Sequence, residues 1–158
     1  QRHTLLAGFD GIVVMHSRGT PATMRERTEY GGDLCQTVEA ELSLAARMLT
    51  DDSLSLSDRI LYDPGLGFAK TVEQSLALLR MTDRLRHRLQ RPLLVGASRK
   101  SMWGALTGKP AQDRLIPSVM GAAFAACNGA DIVRVHDVAE TKQALLVADA
   151  LQSGGLGR

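Results

Sequence analysis

A chain of 158 residues is one domain's worth of protein, long enough to bury roughly two-thirds of the surface its unfolded form exposes. With 44% hydrophobic and 23% charged residues, its composition excludes a disordered chain. A formal net charge of +2 on scattered Lys and Arg makes no demand for nucleic acid or an anionic membrane, and no apolar stretch approaches the roughly 20 residues that cross a bilayer.

The opening "QRHTLLAGFDG" lacks a signal peptide's apolar core, so the reading is a cytoplasmic protein; starting at Gln1 just ahead of a core strand, it reads as part of a longer chain. The first β-rich apolar run covers residues 12–15, and a helix is expected over 38–48. A second strand over 59–62 leads to one long helix from Thr71 to residue 89, with Thr71 and Gln74 as a capping box and Leu78, Met81, Leu85 and Leu89 on one face. The third strand, 93–95, precedes a helix through "SVMGAAFAACN" with Pro117 in its first turn and Gly129 closing it. The fourth, 132–135, precedes a helix that Asp137 caps and that sets Ala144, Ala148 and Leu151 inward.

Alternating strands and helices at this spacing mean crossovers and parallel strands, and "IVV", "LLV" and "IVRV" read as strands covered on both faces. A small open sheet and half of a (β/α)8 barrel both satisfy the pattern. Cys35 and Cys127 have no metal-ligand spacing and read as reduced, buried and structural.

Parallel sheets place their sites at the carboxyl ends of the strands, and each end here carries chemistry. The first offers Met15, His16 and Arg18; the second Asp63, Phe68 and Lys70; the third Ser98, Arg99, Lys100 and Ser101; the fourth Arg134, His136 and Asp137. Lys100 alone could be a solvated loop lysine. Beside Arg99 and two hydroxyls it points to an oxyanion or carbonyl site, because such a cluster is costly to crowd together without a negative partner. Asp63 either starts the Asp-Pro-Gly turn or meets a ligand across Gly65 and Gly67. Asp137 is a helix cap or a catalyst. Arg134 and His136 alternate along a strand, share a face and read as an anion pair. His16 holds the first loop, while His3 and His87 face solvent. No P-loop, GxGxxG, HExxH or GxSxG motif is present.

In this order the strand ends resemble the dihydropteroate synthase family. "MHSRGTPATM" is similar to its fifth strand and loop, "DPGLGFAKT" to its sixth, "VGASRKSMWG" to its seventh and "GADIVRVHDVAE" to its eighth strand and following helix, over residues 10 to about 150. The resemblance implies the C-terminal half of a (β/α)8 TIM barrel with parallel strands, a single pterin-binding domain over 1–158. It implies a transferase of folate biosynthesis, a sulfonamide target, that condenses dihydropterin diphosphate with 4-aminobenzoate to give dihydropteroate and diphosphate. An arylamine is a weak nucleophile, so the main task is electrostatic stabilisation of the leaving group.

Carried over by motif, the catalytic set is Lys100, Arg134 and His136. Met15, Asp63, Lys100 and Arg134 hold the pterin; Phe68, Ser98 and Arg99 shape the aminobenzoate subsite; Arg134 and His136 take the diphosphate. The family uses Mg2+, whose ligand lies on a first strand outside this sequence, and is commonly a homodimer through its last helices. Departures are the absence of the first four strands and Ala69 where the family often has glycine. The chain alone is therefore not expected to make dihydropteroate. A pterin-binding methyltransferase barrel is the rival enzyme class, against which "SRKS" and "RVHD" argue; a non-catalytic, truncated or degenerate pterin-binding chain is the third reading.

Overall fold

The computed structural model describes residues 6, 8–50 and 54–154. His3 lies outside them. Strand β1 (Ile12–Met15) pairs in parallel with β2 (Ile60–Asp63), Ile12 opposite Ile60 and Met15 opposite Asp63, and β3 (Leu94–Val95) pairs in parallel with β4 (Ile132–Val133). A parallel bridge between Tyr62 and Leu93, with the Tyr62 N–H donating to the Pro92 carbonyl at 2.9 Å, joins the two pairs. The strands are thus neighbours in chain order, and all four carboxyl ends fall along one edge.

Helices α1 (Leu34–Thr50), α2 (Leu54–Ser57), α3 (Val72–Arg80), α4 (Thr82–Leu89), α5 (Ser101–Thr107), α6 (Leu115–Cys127) and α7 (Val138–Ser153) make the connections. α1 starts earlier than its apolar periodicity because Asp33 caps it, its carboxylate accepting the Gln36 N–H at 3.1 Å. The Thr71–Gln74 capping box forms as expected. The single helix expected over 71–89 is broken at Met81, since the buried Thr82 hydroxyl donates to the Leu79 carbonyl at 2.7 Å and competes with the helical ladder. Gly129, at φ +86°, closes α6 in a Schellman motif in which the Ala130 N–H reaches the Ala125 carbonyl at 3.0 Å. α5 has no counterpart in the sequence reading; its 7 residues are too few to show a period.

Val38 and Leu42 of α1, Leu78 of α3, Leu85 of α4 and Leu93 pack against Ile12, Val14 and Ile60 in the core. Only one face of β1 is covered: Ile12 and Val14 are buried, whereas Val13 and Met15 stay 48% and 38% exposed. This corrects the reading of strands covered on both sides for β1, and Ile132 of β4 is exposed as well, whereas Leu93, Leu94 and Val95 are all buried as expected. Two further expectations are not met. Cys35 is buried but Cys127 is exposed. On α7, Thr141 and Ala148 are buried while Leu151 is exposed.

The arginine-rich α4 and the turn after it tie four elements together. Arg84 pairs with Asp33, Arg86 with Asp131, Arg88 with Glu39 and Arg91 with Asp58. Surface pairs of this kind contribute little individually, and the buried leucines dominate stability. Replacing the fully buried Leu85 by Ala should cost about 3 kcal/mol, read as a lower denaturant midpoint at unchanged slope.

Candidate active site at the strand ends

The centre of the edge is Asp63, the last residue of β2, only 2% exposed. One carboxylate oxygen accepts the Gly65 N–H at 2.7 Å, and the other lies 3.4 Å from the Arg134 guanidinium. The turn reading of Asp63 is met by the Gly65 bond, and its second oxygen is directed toward Arg134 at the strand-end edge. Gly65 is required there. Its φ is +64°, and a Cβ would sit 1.9 Å from the His16 carbonyl oxygen.

Arg134 follows β4 and lies flat against β3, where a Cβ on Gly96 would come within 2.8 Å of its Nη2. It remains more than half exposed. Lys100 reaches in from the turn after β3, its stem passing over Gly67 and its ammonium 4.1 Å from the centre of the Phe68 ring. Burial, and then the Arg134 charge, push the Lys100 pKa below its usual value, with Asp63 opposing. Two cations stand close together against one buried carboxylate, an arrangement that a bound anion would relieve.

Gly96, Ser98, Arg99, Lys100, Arg134 and His136 line a cleft of about 430 Å³. Arg134 and His136 thus share a face although the strand proper ends at Val133; the Arg134 N–H still bonds the Val95 carbonyl at 3.0 Å. Ser98 is a largely buried part of the cleft wall, its hydroxyl 2.9 Å from His136 Nδ1 and accepting the His136 N–H at 3.3 Å. It orients His136. Ser101, by contrast, lines an adjoining hollow with Phe68, Gly67 and Arg25.

Three sequence readings change. Arg99 has the negative partner that the crowding argument lacked: its guanidinium pairs with Asp137 at 2.6 Å, so it enters the cleft wall already neutralised. Asp137 occupies the N-cap position of α7 but makes no side-chain cap, because that pair takes its carboxylate. Lys70 and His16 do not add a cation and an imidazole to the rim. The Lys70 ammonium is buried, 2.8 Å from His16 Nδ1 and donating to the carbonyls of Gly65 at 3.2 Å and Phe68 at 3.0 Å. His16 Nε2 meets Glu41 at 2.9 Å, and Arg18 grips the same carboxylate while stacking 3.9 Å over Tyr30. Tyr30 in turn donates to the Ala69 carbonyl at 2.9 Å.

This knot ties the loops after β1 and β2 together. Nothing in the local pattern announces it, since Lys70 and His16 stand 54 residues apart. Burial, reinforced by Lys70, lowers the His16 pKa to about 4, so the ring is neutral at pH 7. Burial likewise lowers Lys70 to about 7.

Met15, at the end of β1 opposite Asp63, is part exposed on the open face. Among the described residues no group of three or more His, Cys, Asp or Glu side chains is placed to hold a metal. Asp63, the carboxylate nearest the cleft, faces Arg134. No helix among the described residues is long and apolar enough to cross a membrane.

Residues 5–136 match the pterin binding enzyme family. The chain is 44% identical over 144 residues to the dihydropteroate synthase of Synechocystis, covering 89% of this chain and 48% of that one. It is 37% identical over 142 residues to that of Escherichia coli, covering 90% and 49%. The chain thus spans about half the length of these curated relatives. Among solved structures, Yersinia pestis dihydropteroate synthase with a sulfonamide drug superposes with a TM-score of 0.84 at 37% identity, over 91% of this chain and 52% of that one. The Thermus thermophilus enzyme in complex with 4-aminobenzoate does so with a TM-score of 0.79 at 40% identity, over 89% and 56%.

Gly65→Ala should lose about 3 kcal/mol or more of stability, measured by thermal unfolding, because both its φ and its Cβ are refused. The His16 shift also has a definite sign. With the folded pKa near 4 and the unfolded value 6.5, the unfolded state binds more protons in between, so stability is full above 6.5 and is lost as pH falls through about 4. Between pH 7 and 4.5 the native chain should lose about 2 kcal/mol more than His16→Gln, read from denaturant melts at the two pH values.

Proposed function

The chain belongs to the pterin binding enzyme family, and from that premise we propose that it is the C-terminal half of a dihydropteroate synthase, a single pterin-binding domain forming half of a (β/α)8 barrel. Parallel strands neighbouring in chain order, with one face of β1 covered and the other open, are what a segment of a barrel wall requires. The reaction joins 4-aminobenzoate to the methylene carbon of dihydropterin diphosphate: a C–N bond forms, the C–O bond breaks, its electron pair leaves with diphosphate, and one amine proton passes to solvent.

One observation carries the reading. Asp63, Lys100 and Arg134, from three different strand ends, converge on one edge, with a hydrogen-bond acceptor buried at the back and two cations in front. Asp63 accepts hydrogen bonds from the amino edge of the pterin. Lys100 meets its carbonyl and ring nitrogen, Arg134 covers its face, and Met15 lines the pocket. Arg134 and His136 stabilise the charge that grows on the leaving diphosphate, the role expected of preorganised donors in catalysis. Phe68 flanks the aminobenzoate subsite. Ser98 and Arg99 serve it from the cleft wall, one through His136 and the other paired with Asp137.

Magnesium on the diphosphate would have to be held from outside these residues. The protein works in the cytoplasm as a homodimer through α6 and α7, where Ile116, Met120, Val147 and Leu151 are 81%, 64%, 61% and 79% exposed, an apolar surface typical of an association face.

In the protein carrying this chain, Asp63→Ala and Lys100→Ala should each weaken binding of a pterin analogue by about 2 to 4 kcal/mol in calorimetric titration, and incorporation of 4-aminobenzoate should fall at least in proportion. Wild-type affinity in both variants would refute the assignment.

A further inference from the structure

Arg99 has φ +56°, the left-handed conformation that a residue with a Cβ rarely adopts, and it stands immediately before Lys100. Such a turn persists only where its surroundings over-determine it. Both backbone groups of Arg99 are held from one short segment. Its N–H donates to the Ser118 hydroxyl at 2.8 Å, and its carbonyl accepts from Arg114 Nη1 at 3.1 Å. The same Nη1 donates to the Lys100 carbonyl at 3.2 Å, and Arg114 Nε to the Lys109 carbonyl at 2.8 Å. The Ser118 hydroxyl donates onward to the Arg114 carbonyl, closing a ring of hydrogen bonds around residue 99.

The guanidinium fits only because residue 104 is glycine. A Cβ there would stand 2.1 Å from Arg114 Nη2. This is the middle of α5, where alanine would otherwise favour the helix, so the missing side chain serves the arginine. Arg114 does not itself line the cleft, whereas Arg99 and Lys100 do.

We propose that Arg114 is the positioning residue of this site, holding the left-handed turn at Arg99 through Gly104 and Ser118 and thereby aiming the Lys100 side chain over Gly67 toward Phe68 and Asp63. The inference rests on the reading of the cleft as a pterin and diphosphate site. The ammonium of Lys100 lies over the Phe68 ring within electrostatic range of both Arg134 and Asp63, and a change in its direction alters the charge the cleft presents to a ligand. Two variants separate the clamp from the fold. Gly104→Ala displaces the far end of a flexible side chain without removing it, and Arg114→Gln removes the double donor.

The test uses the protein carrying this chain, with 13Cε-labelled lysine, the Lys100 signal being assigned by its loss in Lys100→Arg. The Lys100 titration is followed without ligand, and inorganic diphosphate is titrated calorimetrically beside it. In both variants the Lys100 midpoint should move toward that of an ordinary exposed lysine, and the diphosphate Kd should rise about tenfold. Added guanidinium chloride at millimolar concentration should restore part of the affinity in Arg114→Gln and none in Lys100→Arg. If the Lys100 titrations of both variants superimpose on the wild type, the proposal is overturned, and a lowered Tm alone would mark Arg114 as merely structural. If wild-type protein takes no diphosphate while the variants still move the Lys100 signal, the clamp stands and the reading of the cleft falls.

Discussion

A carboxylate as buried as that of Asp63 needs donors, and the organisation of the strand-end edge follows from the two it finds. The Gly65 N–H can reach it only if the chain turns back at once, which brings Gly65 against the His16 carbonyl and so fixes the loop after β1 relative to the loop after β2. Arg134 can reach it only by crossing β3, which requires Gly96 to be bare. One side chain thereby sets the relation of β1, β2, β3 and β4 at their carboxyl ends. A ligand that meets Asp63 meets a group already held in place, and preorganisation of this kind is where a site gains electrostatic strength.

Around that group the charges divide into those used internally and those left facing the cleft. Arg18 and Glu41 neutralise each other beneath the loops, where neutral His16 and two carbonyls take the Lys70 ammonium, and Arg99 and Asp137 do so in the wall. Lys100 and Arg134 remain, close enough for one to depress the pKa of the other. A count of cations along the edge overstates what a ligand would meet. The crowded "SRKS" stretch is explained by direction: Arg99 turns outward to a carboxylate and Lys100 inward to an aromatic ring, and the left-handed residue between strand and helix is what lets neighbours point apart.

The open face of β1 has a simple physical cause. Parallel strands in chain order send their connections to one side, and a wall with helices on one side presents its other face to whatever closes the ring. Val13 and Met15 stand on that inner face, Ile116 and Met120 on an outer one. On the proposed reading, the first surface suits completion of a barrel and the second suits a second copy of the chain.

Much of this was written locally. Strand positions, the Thr71 cap, the Gly129 stop and the identity of the residues at each strand end follow from short-range rules of periodicity, capping and turn chemistry, and the motifs at those ends sufficed to suggest the family. What needed the tertiary structure was every statement about partners. Asp137 could be assigned to a helix cap until Arg99 was found beside it, and Lys70 counted as a rim cation until His16 closed over it. Arg114 and Gly104 carried no signal at all, because an arginine in a loop and a glycine in a short helix are ordinary until the two are seen to touch. The reason is one of range: backbone preferences act over three or four residues, whereas a buried charge is satisfied by whichever donor the fold brings within 3 Å or so, and chain distance does not enter that choice.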